Sequence, residues 1–196
     1  MMKANDGYTG GQAAAVIKGR RSIRQFKKDP VSMELLMSLL NVAVWAPNHG
    51  VREPWRFILY KGDAKAELAE AMLEALSAAE REQYGGGKLD YFNHIPLHLL
   101  VIMKEDPRPR QWEEDYAAVC CWIQNFQLAA WEEGIGVVWK TNAFIYDPRF
   151  RSRTGVAAGE KIVGLLHIGY PDQIPDPRPR TDAVHYLTVH DTRSPH

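Results

Sequence analysis

The stretch RRSIRQF, residues 20–26, puts three arginines within five positions and sets Ile23 and Phe26 among them. If the run is extended, Arg20, Ser22 and Arg24 point to one side, and Arg21, Ile23 and Gln25 to the other. If it is helical, Arg20 and Arg24 still share a face. Either way, two guanidiniums and a hydroxyl converge. Guanidinium pairs with phosphate oxygens through two parallel N–H bonds, and serine adds a neutral donor. Two readings therefore stand at this point: a phosphate clamp, or a solvated basic turn after a helix.

The rest of the chain makes so local a concentration of charge stand out. Lys plus Arg equals Asp plus Glu at 24 each, so the formal net charge is zero. Such a chain has no global field to attract DNA or an anionic membrane, and it shows no basic stripe for nucleic acid. At 196 residues with 45% apolar content, it is long enough for one domain with a sizeable core. No apolar run approaches the roughly 20 residues that span a bilayer. The start, MMKANDGYTGG, is polar and carries no signal-like segment. The only cysteines, Cys120 and Cys121, are adjacent and suit no disulfide framework. They are expected to be small buried side chains in a reducing, cytoplasmic compartment.

Outward from the arginine run, helices and strands alternate. GQAAAVIKGRR (10–21) predicts a short helix that ends near the arginines. In the next segment Ser32 is a candidate N-cap, Leu35, Leu36, Leu39, Leu40 and Ala43 keep helical spacing, and Pro47 stops the helix. WRFILY (55–60) and LHLLVIMK (97–104) predict strands. Between them, DAKAELAEAMLEALSAAEREQY (63–84) reads as one helix, broken by a mobile YGGGK. EDPRPRQW (105–112) reads as an exposed loop. Val119, Trp122, Ile123, Phe126 and Ala130 form a buried stripe on a helix over 112–133. A short strand (VVWK), a short helix (DPRFRSRTG) and a long strand (KIVGLLHIGYP) follow. From Pro171 on, the chain is rich in proline and charge, unlike a core element, and can lie along a partner subunit. The alternation points to α/β layers.

Three further stretches carry chemistry. WAPNHGVREPWRF (45–57) joins a helix to a strand through two prolines and a glycine, the kind of loop that carries function on a rigid frame. In GIGVVWKTNAF (134–144) the glycines let a flat ligand approach the backbone, while Trp139, Lys140 and Thr141 offer stacking, charge and a hydroxyl. IVGLLHIGYPDQIPDPRPRTDAVHY (162–186) runs from a core strand into a tail bearing Arg178 and Arg180. His98 and His167 lie within predicted strands and His94 precedes one, so all three read as structural. No metal-ligand spacing, nucleophile elbow or P-loop is present, and the triplet Gly85–Gly87 does not sit between a strand and a helix.

Together, in this order and over about residues 10–190, the four stretches resemble the nitroreductase family of FMN-dependent oxidoreductases. That family carries an RRS-x-R-x-F-like start, then A-A-x-x-A-P-S…Q-P-W-x-F, then G-x-G…W, then I-V-G…I-G-Y-P. The APNH form with a following WKT is similar to the small bacterial NAD(P)H nitroreductase branch.

The resemblance implies a nitroreductase-like three-layer α/β (α+β) sandwich, its mixed, mainly antiparallel sheet flanked by helices. Residues 1–196 would form a single FMN-binding domain, with 171–196 a C-terminal extension against the partner of a homodimer. Arg20 and Ser22 would hold the FMN phosphate with Arg21 beside them. Arg24 would approach the N1/O2 edge of the ring, where a cation stabilises the anionic reduced flavin. Trp139, Lys140 and Thr141 would line the same site, and Arg180, ahead of Arg178, would complete the phosphate clamp. Trp45 and His49 would reach the flavin of the partner. Two positions depart from the pattern: Val51 stands where the family often has Asn, and Glu53 where it has Gln.

The implied chemistry is ping-pong. NAD(P)H reduces the flavin at N5, and a nitroaromatic, quinone or similar small acceptor is then reduced. No side-chain catalyst and no metal is expected. The alternatives are same-fold chemistry such as reductive dehalogenation or flavin breakdown, or a flavin-binding protein without turnover.

Overall fold

The computed structural model describes residues 11–190. In chain order the elements are α1 (Gln12–Gly19), α2 (Met33–Ala43), β1 (Trp55–Lys61), α3 (Ala64–Glu74), α4 (Ala78–His94), β2 (Leu97–Lys104), α5 (Pro109–Glu132), β3 (Gly136–Lys140), α6 (Pro148–Arg153) and β4 (Glu160–Gly169). Short 3-10 turns lie at His49–Val51, Ala143–Tyr146 and Ala183–Tyr186. The reading of the first ten residues lies outside the described part.

The four strands form one sheet in the order β1-β2-β4-β3, every pair antiparallel. Among the described residues, the parallel component of the expected mixed sheet is a single bridge, Ser22 to Val137. Strand β2 is apolar at nearly every position because both of its faces are covered. On one face, Leu97, Leu99, Val101 and Met103 pack with α2 and with the α5 stripe of Val119, Trp122, Ile123, Phe126 and Ala130. Trp122 is fully buried there and stacks on Phe57 with ring centroids 4.3 Å apart. On the other face, Leu100 and Ile102 pack with α3, with Phe92 of α4 and with Phe150 of α6. The result is three layers, helices on both sides of a sheet.

Local chemistry sets the element ends. Ser32 caps α2 by accepting the Leu35 N–H at 3.1 Å. Helix α5 begins earlier than expected, inside the segment read as a loop, because Pro109 sits in its first turn, where its missing N–H costs nothing. The single helix expected over 63–84 is two. The chain turns at Leu76, and Ser77 with Glu80 forms a capping box that starts α4.

The glycine triplet does not break α4, which runs through it to His94. Both ends of this helix are fastened. At the far end Lys65 Nζ donates to the carbonyls of Asn93 and Ile95 at 2.6 and 2.9 Å. Gly85 also lies against Leu73. Tertiary anchoring thus overrides the weak helix propensity of glycine. The paired cysteines need a second correction: Cys120 is half-buried, but Cys121 is exposed on the outer face of α5, and both are free thiols.

Beyond Pro171 the described chain is exposed throughout. Its apolar side chains Ile174, Val184, Tyr186, Leu187 and Val189 cover none of their own core.

Candidate functional site

The arginine run is extended and leans on β3. The Ile23 N–H donates to the Val137 carbonyl at 3.2 Å, and further along the Lys27 N–H reaches the Tyr170 carbonyl at 2.9 Å. Ile23 and Phe26 face inward and are buried. Gly136 makes this approach possible. A Cβ there would lie 2.6 Å from Ile23 Cγ1, so only a bare backbone lets the run sit on the strand. The imidazole of His94 fastens the far end, donating through Nε2 to the Phe26 carbonyl at 2.7 Å.

With Ile23 pinned inward, the alternation turns Ser22 and Arg24 outward. Arg20 is half-buried and donates to Gln127 Oε1 of α5 at 3.4 Å. Its pKa is lowered, first by burial and then by Arg21 and by Arg180 of the tail. The structure therefore gathers Arg20, Arg21 and Arg180 into one cationic cluster. Arg21 is partly engaged elsewhere: one Nη donates to the carbonyls of Lys18, Gly19 and Arg20 and closes the end of α1. Its buried Nε has no partner. Arg180 donates back to the carbonyl of Arg178.

A second cationic centre lies further along the run. Lys140, the last residue of β3, is half-buried. Its pKa is lowered by burial and then by Arg24. Arg24 also faces Tyr91 of α4, whose buried hydroxyl has no partner. Among the described residues none of Arg20, Arg21, Arg24, Lys140 and Arg180 forms an ion pair. Clustered cations with no carboxylate among them are unfavourable by themselves and fit an anionic ligand. The two centres are four residues apart on an extended run, at most about 14 Å.

Behind Lys140 sits a pair that the sequence had only as two separate structural histidines. His98 of β2 and His167 of β4 are opposite each other in the sheet register, both buried, with their Nδ1 atoms 2.7 Å apart. His98 Nε2 lies 2.9 Å from the Phe92 carbonyl, which can only accept. His98 therefore carries its proton on Nε2, and its Nδ1 accepts from His167 Nδ1–H. Both rings are neutral, in line with their pKa values: burial lowers His98 to about 4 and holds His167 well below the ordinary histidine value, with His98 and Lys140 adding to the effect at His167.

The remaining expected site residues are not drawn together. Trp139 and Lys140 point to opposite faces of β3. The Trp139 indole lies across Gly164 and donates to the Val163 carbonyl at 3.1 Å. Thr141 is exposed just past the strand. Trp45 is 86% exposed, and His49 lines a surface hollow with Arg108, Arg110, Gln111 and Glu114 at the start of α5. Arg20 meets α5 at Gln127. About 24 Å of helix separates Gln111 from Gln127, so His49 lies far from the cationic cluster of its own chain. Gln127, Tyr91 and the histidine pair were missed by sequence reasoning. Only the strand order, which no motif states, brings them to the site.

The geometry can be set beside known proteins. The family model described as "Nitroreductase family" matches residues 17–170. "Putative NAD(P)H nitroreductase YfhC" of Bacillus subtilis (strain 168) is 39% identical over 171 residues, covering 85% of this chain and 88% of that protein. A crystal structure of a nitroreductase-like family protein from Bacillus cereus superposes with a TM-score of 0.90 at 43% identity, covering 97% of this chain and 99% of the other. A nitroreductase with bound FMN from Bacteroides fragilis shares the fold, with a TM-score of 0.73 at 24% identity over 93% of this chain and 100% of the other.

Proposed function

Because the chain belongs to the nitroreductase family, we propose that it is an FMN-dependent oxidoreductase that passes hydride from NAD(P)H to a nitroaromatic, quinone or similar acceptor by a ping-pong route. The observation that carries this reading is the line of cations without carboxylates along the run on β3, one cluster at Arg20 and another at Arg24. Its length and sign suit a mononucleotide flavin, with one phosphate at one end and a ring that gains negative charge on reduction at the other. When bound, FMN would supply the hydride chemistry; the protein's part is to bind, orient and tune it.

Arg20, Ser22 and Arg180 would hold the phosphate, with Arg21 beside them. Arg24 and Lys140 would place positive charge at the ring, against neutral His167. Thr141 would flank it, and Trp139, whose indole packs on the opposite face of β3, would do so through its backbone. His49, remote from the cluster of its own chain, and the exposed Trp45 would serve the site of a second copy. The exposed apolar side chains of the tail support the same homodimer. In this reading the chain is a single FMN-binding domain acting in the cytoplasm, with residues 171–196 an extension packed on the partner. Among the described residues no helix is long and apolar enough to cross a membrane.

Arg20→Ala tests the reading. A hydrogen bond to a charged group contributes about 1.5–3 kcal/mol, so FMN binding should weaken roughly ten- to a hundredfold. The flavin-to-protein ratio after gel filtration reads the effect, with circular dichroism as the folding control. Arg81→Ala, which removes an exposed guanidinium 3.5 Å from Glu70, should keep its flavin. Equal flavin content in the two variants would refute the assignment.

A further inference from the structure

The segment from the 3-10 turn His49–Val51 to the start of β1 is strained. Among the described residues, the non-glycine residues with positive φ are Val51, at 51°, and Glu53, at 48°, and Gly50 just before them is at 63°. A β-branched residue in this region is an outlier, and such conformations persist only where the surroundings over-determine them. Here they do. Arg52, between the two strained residues, donates Nε and Nη2 to the two carboxylate oxygens of Asp115 on α5 at 3.1 and 3.0 Å. Its Nη2 also reaches Asp106 at 3.1 Å. The Asp115 side chain is only 4% exposed and is held from its own helix by Gln111 Nε2 at 3.0 Å. Asn48 closes the loop from the other side. Its Oδ1 accepts the Glu53 N–H at 3.0 Å, and its Nδ2 donates to the Ala46 carbonyl at 3.1 Å.

This is an expensive way to make a turn. An ion pair between a buried carboxylate and a partly exposed arginine is weak evidence for stability, and strain of this kind marks functional positions. Val51 and Glu53 are also the positions at which the chain departs from the family pattern. Val51 has no donor, and Glu53 presents a carboxylate. What the strained segment can contribute therefore lies in its neighbours, His49 within it and the exposed Trp45 just before it.

We infer that the Arg52–Asp115 pair is a positioning device, which holds residues 48–53 in the strained form that presents His49, and Trp45 through Asn48 and Ala46, to the flavin site of a second copy. The inference rests on the reading of the chain as an FMN-binding dimer. Arg52 touches no cofactor itself; it acts through the loop.

The test uses the full-length protein. Arg52→Lys keeps the charge but cannot grip both carboxylate oxygens. His49→Ala removes the presented side chain. FMN affinity is read by titrating flavin-depleted protein, together with the visible absorption band of the bound flavin and the melting temperature. Both variants should raise the Kd for FMN about tenfold, the size of one lost hydrogen bond, and shift the band. The double variant should be little worse than His49→Ala. If Arg52→Lys lowers the melting temperature but leaves Kd and band unchanged, the pair is merely structural and the inference fails. If His49→Ala leaves both unchanged, the inference fails while Arg20→Ala still decides the flavin site on its own. Should Arg52→Lys not fold, Asn48→Ala cuts the other tie of the loop and is judged by the same two readouts.

Discussion

Gly164→Ala is the smallest change that should disturb the candidate site from within the core. Gly164 lies in the middle of β4, and the indole of Trp139 from the neighbouring strand fills the space where a side chain would be. An added Cβ would lie 2.1 Å from Trp139 Nε1 and 2.4 Å from Cδ1. Real contacts are never so short, and the obstacle is a rigid ring rather than the end of a flexible chain. The indole must move, and its hydrogen bond to the Val163 carbonyl goes with it. Overpacking of this kind costs about 1–3 kcal/mol, and the lost bond adds about 0.5–1.5 kcal/mol. A total near 3 kcal/mol corresponds to a fall of roughly 6–12 °C in melting temperature for a chain of this size. Scanning calorimetry reads it directly. Because Lys140 follows Trp139, flavin affinity should fall as well. Trp139→Phe in the Gly164→Ala background is the internal check: with the ring made smaller, the two changes should be non-additive by more than about 1 kcal/mol. A fall of less than about 2 °C for Gly164→Ala, set against that scale, would show that Trp139 does not lie over Gly164 in solution.

Acid should weaken the fold through the buried histidines. The pKa of His98 is about 4 in the folded chain against an ordinary 6.5. The unfolded chain therefore binds the extra proton first, and stability declines from pH 6.5 down to 4, by up to roughly 3 kcal/mol in all. Urea unfolding at pH 7 and pH 4.5 measures this, and a flat profile would contradict the neutral pair. Removing residues 172–196 should convert a dimer into a monomer that retains little flavin, since the segment carries Arg180 as well as the exposed apolar side chains. Sedimentation at micromolar concentration and the flavin ratio report the two effects, and a truncated dimer with full flavin would sink both.

Much of this architecture is written locally. Ser32 at the start of α2, the apolar stripe of α5 and the apolar run of β2 each follow from spacing alone, so they were legible. The capping box of Ser77 and Glu80 was equally available and would have split the long Ala/Glu segment, but the composition pointed to one helix. The glycine triplet misled for a different reason. Propensity is a local quantity, whereas α4 is held by Lys65 and Ser77 at its ends.

What the sequence could not show is which surfaces meet. The bare backbone of Gly136 read as room for a flat ligand, yet Ile23 of the same chain fills it, and so the arginine run comes to lie on β3. The alternation in RRSIRQF gave the side on which Arg20, Ser22 and Arg24 stand but not the strand they stand beside, and Lys140 and Tyr91 become neighbours of Arg24 only through that docking. The strain at Val51 and Glu53 is likewise invisible in the letters, because ordinary residues adopt it under compulsion from Asp115, more than sixty positions away. In the proposed dimer, a site assembled from one chain's arginines and another chain's loop has no compact signature in either. Its parts carry recognisable residue types, and their combination depends on how α5 spaces Gln127 from Gln111. A change in that spacing, such as one turn inserted into α5 between these residues, would leave every motif intact and still part the loop from the site it serves.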